Sequence, residues 1–177
     1  PSPSPSPSPS ASASASPKPT PSRSADAAYA GRTDDGTSAV AVTLRDGKAI
    51  GYFCDGRNQE SWLKGSVRDD GAVRLTGRGG AELTGTVSGR NLTGAVAVDK
   101  QTYAFTLARA IEPSGIYRAT SEVRGADVDG GWIVLPNGDQ VGVLNRDGKP
   151  SPAPEMDPET GTVTVDGSRL TTRPVVP

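Results

Sequence analysis

The sequence predicts an antiparallel all-β fold: a meander of about ten to twelve short strands closing into a β-barrel, with a two-sheet β-sandwich as the alternative. Three observations lead there. From Ser38 onward, apolar residues alternate with small or polar ones at period two, as in strands with one buried face. Glycine-containing breaks interrupt the alternation about every eight to twelve residues. So many strands cannot remain in one open twisted sheet, and the sheet must close or fold on itself.

The chain of 177 residues opens with PSPSPSPSPSASASASPKPTPSRSADAAYAGR, which has almost nothing to bury. Such a segment cannot offset the entropy of ordering itself, so residues 1–36 are expected to be a disordered Pro/Ser/Ala-rich linker or stalk. It would hold the domain away from an upstream envelope anchor or signal peptidase site, or else join it to another domain. Residues 37–177 then form a single all-β domain: a meander over 38–109, a second over 115–146, a Pro-rich surface loop over 147–160 and a terminal hairpin over 161–173.

Turn chemistry sets the expected registers. In SAVAVTLRDGKAIGYFC, a three-residue loop sets Leu44 opposite Lys48, Val42 opposite Ile50 and Val40 opposite Tyr52, so Ile50, Tyr52 and Cys54 share the valines' face. In WLKGSVRDDGAVRLTG, Val67 meets Val73 and Gly65 meets Leu75. The RGG break pairs Leu75 with Leu83. The near-repeat LTGTV and LTGAV is a hairpin through Gly89-Arg90, pairing Val87 with Leu92, Gly85 with Gly94 and Leu83 with Val96. A turn at Lys100-Gln101 sets Tyr103, Phe105 and Leu107 against Val98, Val96 and Gly94. In the second meander a Gly-Ala turn pairs Val123 with Val128 and Ala119 with Trp132. An Asn-Gly turn there pairs Val134 with Val141 and Trp132 with Val143. The unit L-x-G-x-V places Gly65, Gly85 and Gly94 on the core face, with Gly77 nearby. Glycine weakens a strand, so these positions either let a wall bend and neighbours approach, or line a cavity for a small ligand.

Composition removes several chemistries. Net charge is −1 with the basic residues scattered, which argues against a nucleic-acid or membrane-surface footprint. No apolar run is long enough to span a bilayer, so membrane contact would come only through an upstream anchor. There is no histidine, the commonest general base and metal ligand. No cofactor and no metal are implied. Cys54 is the only cysteine, so no intramolecular disulfide forms, and its phase with Ile50 and Tyr52 favours a packing thiol over a nucleophile.

The polar interruption CDGRNQESW is the first choice for a binding site, with Asp55, Arg57, Asn58, Glu60 and Trp62 as candidates. Loops at the end of a β framework commonly carry binding residues. The competing reading is a plain strand connection with an Asp-Gly turn and an Asp55–Arg57 pair. GADVDGG resembles the start of a calcium loop but lacks the later ligands, and the expected register puts Asp127 at a turn and Asp129 on an outward face. Asn91-Leu92-Thr93 fits a glycosylation acceptor. Glu60, Glu82, Glu122, Asp127 and Asp129 are the carboxylates that could pair for glycoside chemistry.

YFCDGRNQESWLKGSV, the two LTG units and GGWIVLPNGDQVGVL together resemble small exported, secreted or lipoprotein-like β-domain proteins of actinobacteria, over roughly residues 38–172. The resemblance implies an extracellular or cell-surface address, tethered by the N-terminal linker, and brings no activity, ligand or catalytic residue. The expected function is a monomeric, non-catalytic envelope module that binds a small molecule, a cell-wall component or a protein partner. The alternatives are a secreted hydrolase using carboxylates near the 54–62 loop, and the outer sensor domain of a membrane signalling protein.

Overall fold

The computed structural model describes Pro3 and residues 25–177, and these are all-β apart from a single 3-10 turn at Arg78–Gly80. Eight strands form a closed antiparallel barrel in chain order: β1 (Ala27–Arg32), β2 (Ala39–Arg45), β3 (Lys48–Cys54), β4 (Glu60–Val67), β5 (Ala72–Gly77), β6 (Glu82–Ser88), β7 (Asn91–Val98) and β8 (Gln101–Ala110). A five-stranded sheet follows, with β9 (Gly115–Val123), β10 (Ala126–Val134), β11 (Gln140–Arg146), β12 (Lys149–Pro152) and β15 (Arg173–Pro174) in the order β12-β11-β10-β9-β15. Between β12 and β15 in the chain, β13 (Thr162–Val165) and β14 (Ser168–Thr171) make a separate hairpin.

Three apolar clusters bind these parts. The first fills the barrel, with Tyr29, Val40, Val42, Phe53, Leu75, Leu83, Leu92 and Phe105 among its members. The second lies between the barrel's outer face and the sheet, bringing Ala39, Ala41, Tyr52 and Cys54 against Ile116, Ile133, Val141 and Val143. The third joins the sheet's far face to the hairpin, through Trp132, Val134, Leu144, Val163, Val165 and Leu170.

The closing strand is a correction. β1 lies inside the stretch 1–36 assigned to the linker; residues 1, 2 and 4–24 of that stretch are outside the described residues. AAYAGR carries little β propensity, but it pairs with β2 from Ala27↔Leu44 to Arg32↔Ala39 and with β8 from Ala28↔Ala110 to Ala30↔Ala108. Without it, β2 and β8 would both be open edges. Tyr29 fills the barrel, and Ala30 on the other face packs against the sheet.

Registers through the middle of the barrel match the expectation: Val67↔Val73, Gly65↔Leu75, Leu75↔Leu83, Val87↔Leu92, Gly85↔Gly94 and Leu83↔Val96. The β2–β3 hairpin does not. Asp46 and Gly47 have φ of 52° and 76°, a two-residue turn of type I′. Leu44 therefore meets Ala49, Val42 meets Gly51 and Val40 meets Phe53. This shift of one residue turns Ile50, Tyr52 and Cys54 outward. The carboxylate of Asp26 accepts the Asp46 amide at 2.9 Å and secures the turn.

Three other turns depart from expectation. Asp99-Lys100 and Arg124-Gly125 are also turns with positive φ at both residues. They pair Val96 with Tyr103, Gly94 with Phe105 and Leu92 with Leu107, and Val123 with Ala126 and Ala119 with Gly130. Each slip is two residues and keeps the faces. After β10 the loop holds three residues, Pro136 to Gly138, because the proline's fixed φ suits a turn and Gly138 takes φ 91°. Trp132 then meets Gly142 and Ile133 meets Val141.

Part of the supposed Pro-rich loop is strand: β12 pairs with β11 from Val143↔Pro152 to Arg146↔Lys149. Its prolines are tolerated because it is an edge strand, where the missing N–H faces away from the ladder. The terminal hairpin forms as expected.

The strand glycines work as bends and close approaches. A Cβ on Gly65 would overlap the Arg74 carbonyl oxygen, and one on Gly94 the Thr84 carbonyl oxygen. The space beside them is occupied by a neighbouring backbone, and the barrel interior is filled by the first cluster.

Candidate functional site

The interface between barrel and sheet changes character along its length. At one end of the sheet's barrel-facing side stand Ile116, Ile133, Val141 and Val143. Two residues further along each strand, the same side carries Arg118, Gly131 and then Asp129, and Asn145. On the barrel wall, β4 sends Glu60, Trp62 and Lys64 outward in alternation, beginning beside the shifted Tyr52 and Cys54. The apolar seam thus opens into a polar cleft of about 740 Å³, lined by these β4 side chains with Ser61, Thr76, Arg78, Asp99, Arg118 and Asp129.

Glu60 bridges the two bodies. Its Oε2 accepts from the Tyr52 hydroxyl at 2.6 Å, and its Oε1 from the Asn145 side-chain amide at 2.5 Å. Burial raises the Glu60 carboxyl above its ordinary value, against the opposing pull of those two donors. Burial also holds the Tyr52 phenol well above the ordinary range. Arg118 grips Asp129 with both arms, Nε to Oδ1 at 3.0 Å and Nη2 to Oδ2 at 2.8 Å. That bond keeps the guanidinium firmly charged.

Trp62 is held between neighbours: Tyr52 stacks on it at 4.1 Å between centroids, and the Arg118 guanidinium lies 4.8 Å from its ring centre. This packing requires a glycine on β10, because a Cβ on Gly131 would come within 2.6 Å of Tyr52 and 2.8 Å of Trp62.

Of the five candidates from sequence, the structure brings Glu60 and Trp62 into the cleft and leaves Asp55, Arg57 and Asn58 outside its lining. Asp55 is a loop staple. Its Oδ1 accepts the backbone amides of Arg57, Asn58 and Gln59 at 2.8, 3.0 and 3.0 Å, so it holds the loop backbone, where the competing plain-connection reading had supposed an ion pair with the Arg57 guanidinium. Arg57 and Asn58 are exposed on that loop. Cys54 is buried and donates to the Val141 carbonyl at 3.6 Å, and burial pushes its thiol up to about 12.

Asp129 faces the cleft, where an outward position was expected, and its partner is Arg118. Glu82 pairs with Arg74 at 3.2 Å on the surface. Among the described residues, no group of three or more His, Cys, Asp or Glu is arranged to hold a metal ion. Sequence reasoning missed Tyr52, Lys64, Arg78, Arg118 and Asn145. The signal that could have found Tyr52 was the Asp46-Gly47 pair, read as a two-residue turn.

No family model matches the chain, and no curated protein and no solved structure matches it.

Proposed function

We propose that the protein is a non-catalytic module of the cell envelope or extracellular space, acting as a monomer, that binds a small polar ligand in the cleft between barrel and sheet. The observation that carries this reading is the state of the cleft's polar groups. Both oxygens of Glu60 and both of Asp129 are already engaged by internal donors, so the carboxylates are fixed in position rather than poised as free bases. With no histidine in the chain and the one thiol buried and protonated, no activated nucleophile faces the cleft. Fixed polar groups on a rigid β framework favour recognition, because little ordering entropy is lost on binding. The extracellular address is supported by the Pro/Ser-rich opening tract and the resemblance to exported proteins.

Titrating the chain with a soluble digest of bacterial cell wall while following Trp62 emission tests the reading. A saturable change, with the recovered digest chemically unaltered, is the expected result. A steady conversion of digest components that stops in Glu60→Gln would replace it with the second reading, a hydrolase. One feature favours that alternative: burial raises the Glu60 carboxyl, while the nearby Asp129 carboxylate is held in an ion pair with Arg118, so the two carboxyl groups stand in unequal surroundings as acid–base pairs need.

A further inference from the structure

We infer that the ligand of the cleft is an acidic saccharide, a hydroxyl-bearing ring that carries a carboxylate gripped by Lys64 and Arg78. The inference rests on the binding reading and names its ligand class. Four arginines of the described residues are committed to carboxylates: Arg32 to Asp139, Arg74 to Glu82, Arg118 to Asp129 and Arg146 to Asp166. Lys64 and Arg78 line the cleft and make no such pair among the described residues. Lys64 lies directly across from Thr76 in the β4–β5 ladder, and Arg78 follows two residues on. Their two cations and the Thr76 hydroxyl therefore emerge together at the barrel side. A carboxylate is the group that meets two cationic donors with charge-assisted hydrogen bonds.

The other side of the cleft, where the Glu60 end of β4 meets Asp129 on the sheet, calls for a different chemistry. Glu60 and Asp129 are held from behind by Tyr52, Asn145 and Arg118, and each carboxylate oxygen retains lone-pair capacity toward the cleft. Ser61 adds a hydroxyl and Asp99 a further carboxylate. A second anion placed there would be repelled, whereas hydroxyls can donate to all of these groups and accept from Ser61. A ring with several hydroxyls and one acidic substituent satisfies both sides. The volume, about 740 Å³, exceeds a single sugar's need and suits a short oligosaccharide.

The test compares two ligands that differ in one group: the disaccharide of N-acetylmuramic acid and N-acetylglucosamine, and diacetylchitobiose, which lacks the lactyl carboxylate. Trp62 emission and calorimetry follow binding to the full chain. Trp132 gives a constant background, since it is buried with its Nε1 bonded to the Pro154 carbonyl. The acidic disaccharide is expected to bind about tenfold tighter or better, an advantage that shrinks in high salt. A Lys64→Gln/Arg78→Gln variant should reduce it to the level of the neutral sugar. Both side chains are exposed, so the variant should melt with the parent chain. Equal binding of the two sugars overturns the inference, as does an advantage that survives the double variant. Binding of neither overturns it too, and the digest titration then decides separately whether the cleft binds anything.

Discussion

The barrel interior and the seam between barrel and sheet are built from the same strands, with opposite tolerance for error. Inside, one face of every strand meets a closed apolar cluster, and a slip of two residues returns equivalent side chains to the same face. Along the seam, each polar group depends on particular partners: Glu60 has Tyr52 and Asn145, and Asp129 has Arg118. A slip of a single residue would bury the tyrosine in the barrel and leave the glutamate without it. The interior therefore specifies that a barrel forms, and the seam specifies which barrel.

Four substitutions sharpen that contrast, and the largest effect belongs to the interior. Phe105 is buried opposite Gly94, and Phe105→Ala should cost about 3–5 kcal/mol in urea unfolding because the closed wall cannot collapse onto the void. At the seam, Tyr52→Phe leaves one Glu60 oxygen without its donor and should cost about 1–3 kcal/mol. Asp55→Ala releases three loop amides and should cost about 1 kcal/mol, leaving the cleft's affinity unchanged. Smallest is Arg118→Gln, at most about 1 kcal/mol because the ion pair is substantially exposed, yet it should shift Trp62 emission by removing the cation from the ring.

The seam also carries a pH signature. Glu60 holds its proton more tightly in the folded state than the ordinary value of 4.5, so the fold binds a proton that the unfolded chain has released. Its contribution to stability is full below that ordinary value and is lost as pH rises through the raised folded value. Urea midpoints of the parent chain should fall across this interval, and those of Glu60→Gln should fall less. An identical slope in the two proteins would remove Glu60 from the account.

How much of this was legible follows from the same contrast. The hairpins through Gly71 and Gly89 were readable because only one register put leucine and valine opposite each other. The β2–β3 register was not, because Ile50, Tyr52 and Cys54 looked as suited to a core as Ala49, Gly51 and Phe53. Both faces of β3 are in fact buried, one in the barrel and one under the sheet. Period-two alternation assigns faces only where one face is wet. The same ambiguity hid the cleft, whose lining comes from β4, β5, β7, β9 and β10, with Tyr52 of β3 and Asn145 of β11 bonded to Glu60 behind it. β1 escaped notice because its place depends on closure, a property of the eight strands together rather than of AAYAGR.

That closing strand has a mechanical consequence. Tension applied through residue 25 enters the fold along β1, which is laced on one side to β2 and on the other to β8. A strand at an open edge peels away one ladder at a time, whereas this one must shear two ladders together and open the barrel on both flanks. The point where a pull would arrive is thus also the stave that closes the barrel, and a force great enough to extract it would unmake the whole wall that carries Glu60 and Trp62.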